Sequence, residues 1–357
     1  MDSQDTFNHL AQAVIDLIQY PDNKDFDEIA CEAFFFQFTH NFPYAKFCLK
    51  RGVTPDLVKT WQDIPFIGNT AFKQCDLSCL SEENRTVYFQ SSGTTQSDQS
   101  RHYHNAVSQE VYYHSVRAWF QRCFLNKNLT QRVLDDIDII SLTPPVSAVP
   151  HSSLAHMFQT IQPDASQFFG KVSSNGRWEL NLECLLARLN ACRSSDKPMV
   201  MVGTAFSFVH LLDHKTDDSL RLPNHSILLE TGGYKGQSRE LEKEDFHQLL
   251  ANIFELTPGQ IRTEYGMCEL GCQGYDNADS QGFFDFPPWS RVRVVSPENG
   301  QPQADGLLGL IQVFDLTNIA SVSAVQTSDL GMMLKGRVKL HGRECRTEPR
   351  GCSLFPA

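Results

Sequence analysis

A β-prone run, Thr86-Val87-Tyr88-Phe89-Gln90, leads straight into Ser91-Ser92-Gly93-Thr94-Thr95. Hydroxyls gathered around a glycine at a strand end can cradle a phosphate. Backbone N–H groups converge on the anion, and Ser or Thr adds donors without burying a charge. An ordinary polar loop is the plain alternative for so short a motif. No Gly-Lys-[Ser/Thr] follows, so this is not a Walker A loop, and GxGxxG after a strand is missing too. Three later stretches could serve the same ligand. In Glu230-Thr231-Gly232-Gly233-Tyr234, paired glycines would let a flat ligand approach the backbone, and an aromatic ring can stack on a purine. A tight turn alone competes with that reading. In Arg262-Thr263-Glu264-Tyr265-Gly266-Met267-Cys268-Glu269, the last residue lies just past a predicted strand's carboxyl end, where ligands of open α/β sheets gather. A carboxylate there suits Mg²⁺, which is commonly held by one or two carboxylates plus substrate phosphates. In "QTSDLG", Asp329 could accept both hydroxyls of a ribose, and Arg343 follows fourteen residues on.

These groups need a scaffold of strand ends, and the chain supplies one. The first 80 or so residues read as helices, with Phe7, Leu10, Ala11, Val14, Leu17 and Ile18 at helical spacing. "FDEIACEAFFFQFTH" is so aromatic that it must be buried or face a partner, and core is the expected place. From residue 86, strands are expected at 86–90, 137–142, 198–203, 226–230, 261–265, 291–295 and 309–314, with helices between several of them. One such helix, 105–123, should turn Val107, Val111, Ser115, Ala118, Trp119 and Cys123 to one side. The alternation predicts an α/β fold of layered sheets and helices, with an antiparallel portion near the C-terminus. At 357 residues the chain can bury a full core, as one large domain or two ordinary ones. Eleven cysteines without CxxC pairs or metal-ligand spacing point to free thiols in a reducing compartment. The acidic, amphipathic N-terminus is not a signal peptide, and no run is apolar enough to span a bilayer, so a cytoplasmic location is expected. A net charge of −11 argues against broad nucleic-acid binding.

Taken in order, "SSGTT", "TGG", "EYGMCE", "TSDLG" and "GR" resemble the adenylate-forming superfamily of acyl-CoA synthetases and luciferases. Within it the chain is most similar to the acyl-protein synthetase family of LuxE type, on the short length, "SSGTTxSxxSRH", "ETGGYKG", "EYGMxEL" and the ending "EPRGCSL". The resemblance covers roughly residues 60–357. It implies an adenylation core at 86–340, a helical leader at 1–85 packed on it, and a tail at 341–357, without the usual mobile C-terminal lid domain. ATP and Mg²⁺ would be required. The phosphate loop would be Ser91, Ser92, Gly93, Thr94 and Thr95, with Thr94 taking part in catalysis. Gly232, Gly233 and Tyr234 would form the adenine platform, edged by Tyr265 and Gly266. Glu269 would hold the metal, Asp329 the ribose, and Arg343 the ribose or phosphates. The acyl acceptor would be Cys352, with the group passing on to a protein partner, a reductase or a carrier protein.

The chain departs from the family pattern in places. Gln96 stands where a glycine usually follows the threonine pair, Arg101 is the nearest basic residue after the loop, and Cys268 replaces a threonine that would donate to the α-phosphate. With the lid lysine missing, Lys335, Arg337 and Lys339 are candidate cations. Arg343, Arg346 and Arg350 are the cations near the acceptor thiol, and Cys345 is its rival. His151, after a Pro-rich loop, could sit beside the substrate carboxylate or simply face water. Cys268 with His151 or His210 could also be misread as a cysteine hydrolase pair. Met332 and Met333 read as packing residues, and Cys31, Cys48, Cys184 and Cys192 as small hydrophobes. Two alternatives stay open beside the acyl-thioester reading. The adenylate could pass directly to a carrier-protein thiol, coenzyme A or an amine, or the fold could bind a nucleotide without catalysis.

Overall fold

The stripe expected on the first helix is the one that is buried. The computed structural model describes residues 3–22, 25–91, 99–125, 137–195, 197–213, 220–232, 242–276 and 281–343. Helix Ser3–Gln19 buries Phe7, Leu10, Ala11, Val14, Leu17 and Ile18, an apolar face at the helical repeat. Helix Phe26–His40 starts at Asp25, whose carboxylate accepts the N–H groups of Asp27 at 2.9 Å and Glu28 at 3.4 Å. It buries Phe26, Ile29, Ala30, Ala33, Phe34 and Phe36, so the aromatic helix is core, while Phe35 stays 59% exposed.

The chain divides into two compact units. One comprises residues 1–115, 267–272 and 285–357; the other comprises 116–266 and 273–284. In the first, four antiparallel strands follow one another: Ser290–Val295, Leu308–Asp315, Ala324–Leu334 and Arg337–Arg343. This is the antiparallel portion expected near the C-terminus. Its last two strands turn at Lys335-Gly336, with φ of 49° and 79°. Two left-handed residues in a tight hairpin match the twist of the strands, and glycine is the residue that meets that geometry cheaply. The leader helices belong to the same unit and are tied to it by buried polar groups. Gln37 Nε2 donates to Asn318 O at 3.0 Å and Ser323 Oγ at 2.9 Å, and Ser323 N–H donates back to Gln37 Oε1 at 3.0 Å. The run into the hydroxyl-rich loop is strand Val87–Gln90, paired antiparallel with Arg101–His104.

The second unit holds parallel strands in the order Asp138–Ser141, Met199–Thr204, Ile227–Thr231 and Ile261–Tyr265, with Gly274–Asp276 antiparallel to the last. Helices Leu182–Ser195, Ala205–Asp213 and Lys243–Phe254 lie between them in sequence. Strands Met199–Thr204 and Ile227–Thr231 read as largely apolar runs because they are buried along their whole length. Ile140, Met201 and Leu228 pack with Leu185, Phe208, Phe246 and Leu250 in one core.

Two expectations are corrected. Helix Ala106–Phe120 buries Ser108, Val111, Tyr112, Ser115, Val116 and Phe120, and leaves Ala118 and Trp119 half-buried, as is Cys123 just beyond it. The larger rings of Tyr112 and Phe120 turn the helix by about one residue from the face expected, because they bury more apolar surface. Cys48 and Cys192 are buried and Cys31 is half-buried, but Cys184 is exposed and does not pack as a hydrophobe. The described cysteines are free thiols. No helix among the described residues is long and apolar enough to cross a membrane.

Candidate active site

In the first unit the loop stem and the metal-ligand candidate meet. Ser91, the first hydroxyl of the loop, ends strand Val87–Gln90. Its N–H donates to Ser100 O at 3.2 Å, and Ser100 N–H donates to Ser91 Oγ at 2.9 Å. Ser100 is fully buried, and its hydroxyl donates to Glu269 Oε1 at 2.6 Å. The Cys268 thiol donates to Glu269 Oε2 at 3.2 Å. Both carboxylate oxygens therefore have a donor, and each keeps lone-pair capacity for a cation. The backbone beneath is pinned as well. His102 Nδ1 lies 2.9 Å from Cys268 O, and Asn318 Nδ2 donates to Glu269 O at 2.8 Å. Asp315 Oδ2 accepts the N–H groups of Gly271 and Cys272, each at 2.8 Å, while its Oδ1 accepts from Thr317.

Electrostatics assign roles here. Burial pushes the Cys268 thiol well up, and the Glu269 charge pushes it further. A thiol held protonated and donating to a carboxylate is no nucleophile, which removes the cysteine-hydrolase reading. Burial lowers His102 to about 4, so its ring is neutral near pH 7. Because a carbonyl only accepts, Nδ1 carries the proton and Nε2 is a bare acceptor.

In the second unit, strands Ile227–Thr231 and Ile261–Tyr265 run in parallel register with Thr231 opposite Glu264. The Thr231 hydroxyl donates to Glu264 Oε2. Burial raises the Glu264 carboxyl to about 7; the Thr231 hydrogen bond opposes the rise and the nearby Glu230 adds to it. Glu230 Oε1 takes Thr263 Oγ1 at 2.9 Å and lies 3.2 Å from His247 Nε2. A Cβ at Gly266 would run into Glu264 Oε1, so any larger residue there needs that carboxyl to shift. Gly232 is exposed with φ of 69°. Arg262 is buried and donates from Nε to Asp276 O at 3.0 Å, beside Asp276 Oδ1, which also takes Thr263 N–H at 2.7 Å.

Residues 10–355 match the family described as acyl-protein synthetase, LuxE. The chain belongs to that family. It is 24% identical over 350 residues to a long-chain-fatty-acid–luciferin-component ligase of Aliivibrio fischeri, covering 93% of this chain and 87% of that protein. A ligase of the same name from Vibrio harveyi is 23% identical over 314 residues, covering 84% of this chain and 77% of that one. In structure the chain is similar to a 2-hydroxyisobutyryl-CoA ligase solved in an open conformation with 2-HIB-AMP and CoA. The TM-score is 0.62 at 11% identity, over 89% of this chain and 74% of that chain. The chain is thus an acyl-protein synthetase, a ligase with the α/β fold of adenylate-forming enzymes.

The remaining family positions fall as follows. Asp329 is buried and stands directly opposite Arg343 across the last hairpin, so two positions fourteen residues apart become neighbours. Asp329 N–H donates to Thr327 Oγ1 at 3.1 Å. Tyr265 is buried with its ring 5.9 Å from Phe284. Arg101 is exposed opposite Gln90. Of the candidate cations, Lys335 is exposed at the hairpin turn, Arg337 pairs with Asp285 at 2.9 Å, and Lys339 is half-buried. His151 is exposed in the turn before helix Ser153–Ile161. The buried histidine there is His156, held to Pro150 O at 3.0 Å and lowered by burial. Ser92, Gly93, Thr94, Thr95, Gly233, Tyr234 and Cys352 lie outside the described residues.

Asp315, Thr317 and Asn318 were not expected at the site, and Ser100 and His102 stood only as letters of "SSGTTxSxxSRH" with no role attached. One signal was present: "DLTN" is a run of side chains able to cap a turn, placed at the end of an otherwise apolar strand. Glu264 had no expected role either, although two charges in the short strand "IRTEY" contradict a plain buried strand.

Proposed function

We propose that this acyl-protein synthetase activates a long-chain fatty acid with ATP, loads the acyl group onto Cys352 as a thioester, and passes it to a protein partner. The substrate class rests on the names of the two related ligases. The observation that carries the adenylation step is the hydrogen-bonded path from Ser91 through Ser100 to Glu269, which joins the stem of a phosphate-binding loop to a buried carboxylate.

In the first step the acid's carboxylate oxygen attacks the α-phosphorus and pyrophosphate departs. Hydroxyls of Ser91, Ser92, Thr94 and Thr95, with the backbone N–H groups of the last three, would offset charge gathering on the phosphates. Mg²⁺ bound at Glu269 would supply further positive charge to the phosphate oxygens. The residues fit such an ion: Glu269 is a buried oxygen donor with spare lone pairs. Tyr234, Gly232 and Gly233 would carry the adenine, and Asp329 the ribose. In the second step the Cys352 sulfur attacks the acyl carbonyl, the bond to the AMP oxygen breaks, and AMP leaves. Arg343, Arg346 and Arg350 are the cations near Cys352 in sequence that would favour its thiolate. The free thiols of the described residues suit a reducing, cytoplasmic setting for this chemistry.

Intact-mass measurement after incubation with ATP, Mg²⁺ and a fatty-acid panel tests this reading. The expected result is one added acyl mass, removed by hydroxylamine and lost in Cys352→Ser, with pyrophosphate exchange kept in that variant. Stoichiometric AMP release without labelled protein would instead mean that the adenylate passes directly to another acceptor.

A further inference from the structure

We propose that Ser100 is a positioning residue for Glu269, holding its carboxylate in the orientation that receives the divalent cation. This rests on the reading of Glu269 as the metal ligand. The peptides of Cys268 and Glu269 are already fixed, the first by His102 Nδ1 and the second by Asn318 Nδ2. Asp315 holds the next turn through Gly271 and Cys272. What is left to set is the Glu269 side chain, and its shortest contact is with the Ser100 hydroxyl, 2.6 Å from Oε1. The thiol on Oε2 is a weaker donor at 3.2 Å.

Ser100 is itself held in place. Its N–H and C=O are both taken by Ser91, in a two-bond pairing at the base of the hydroxyl-rich loop. Ser100, His102 and His104 alternate with exposed or half-buried neighbours, so they share the inward face at the return strand Arg101–His104. Two of the three grip the Cys268–Glu269 segment: Ser100 the carboxylate, His102 the carbonyl before it. The strand that closes the loop is thus also the bracket for the carboxylate, and a single serine joins the two. Groups that orient a metal ligand without touching the metal commonly contribute about 10- to 100-fold in affinity.

The test is a Mg²⁺ titration of fatty-acid-dependent ATP–pyrophosphate exchange in the full chain. For Ser100→Ala the half-saturating Mg²⁺ concentration should rise about tenfold, with the KM for the acid unchanged. Ser100→Cys, which keeps the volume and weakens the donor, should give a smaller rise in the same direction. A role confined to folding would lower the melting temperature of both variants without moving the Mg²⁺ requirement, and would overturn the proposal. Should Ser100→Ala fail to fold, an unchanged Mg²⁺ requirement in Ser100→Cys overturns it equally. Glu269→Gln separates the two layers. If it leaves the Mg²⁺ requirement unmoved, the metal reading falls and this proposal with it. If it abolishes the response while both Ser100 variants keep the parent's half-saturating Mg²⁺ concentration, only the positioning role falls.

Discussion

Glu269 and Glu264 are both buried glutamates, one in each unit, and the protein treats them differently. Glu269 has a hydroxyl on one oxygen and a thiol on the other, on a backbone fixed by His102, Asn318 and Asp315. Glu264 has the Thr231 hydroxyl on Oε2 and, among the described residues, no hydrogen bond on Oε1, which faces the Cα of Gly266. Glu230 adds a like charge nearby, and the carboxyl rises to about 7. Burial alone does not decide what a carboxyl can do. The donors around it do, because in a poorly solvating interior they replace water. Glu269 is furnished as a ligand, Glu264 as a group near half-protonation at neutral pH.

The largest expected effect breaks the first half of that contrast. Glu269→Gln keeps an acceptor for Ser100 but removes the charge, and it should reduce kcat/KM in pyrophosphate exchange by about 10²- to 10³-fold. Circular dichroism and the melting temperature should stay close to the parent. A loss below about threefold would mean that the clamp around Glu269 serves folding and that the phosphates are neutralised elsewhere.

How much of this the sequence revealed follows from the reach of each interaction. Parallel strands were legible because burial on both faces writes an apolar run into the local sequence, as in Met199–Thr204 and Ile227–Thr231. The stripe on Ser3–Gln19 was legible for a similar local reason, its period. Family motifs gave Ser91, Gly266, Glu269 and Asp329 as site positions, and two of them, Ser91 and Glu269, are joined through a third residue. That third residue, Ser100, stands in the motif "SSGTTxSxxSRH" without an expected role, because its partner lies 169 positions away. Asn318 and Asp315 act over shorter but still non-local gaps, 49 and 43 residues. Helix Ala106–Phe120 shows a different limit. Its period was right and its phase was off by about one residue, since only tertiary packing selects between adjacent apolar faces.

A pH series sharpens the other half of the contrast. Glu264 is raised from 4.5 to about 7 in the folded chain. Between those values the folded state keeps a proton that the unfolded state releases, so this carboxyl's contribution to stability is fullest below pH 4.5, falls as pH rises to about 7, and is level above. At about 1.4 kcal/mol per unit the whole fall is about 3.5 kcal/mol. Glu264→Gln removes this titration. Urea unfolding at pH 5.0 and 7.5 should therefore show the variant gaining on the parent at the higher pH, by about 2 kcal/mol. Equal differences at the two pH values would mean that Glu264 ionises freely in the fold.

The smallest expected effect probes why Gly266 is a glycine. A Cβ at that position meets Glu264 Oε1, with Glu264 Cδ next at 3.4 Å and Gln273 Cγ at 3.7 Å. The atom in the way belongs to a side chain, so the cost depends on whether Glu264 can swing aside. Thr231 holds its other oxygen, and leaving that hydroxyl unbonded in a buried site has its own cost. Gly266→Ala should therefore destabilise by about 1–2 kcal/mol, in the range of a modest overpacking strain. In a Glu264→Ala background the obstacle is gone, and the same substitution should cost less by about 1 kcal/mol, a coupling that a double-mutant cycle reads directly. Additivity would locate the need for glycine in the backbone turn itself. Coupling would place it in the carboxyl, and would make Glu264 the residue that dictates how the end of strand Ile261–Tyr265 is shaped.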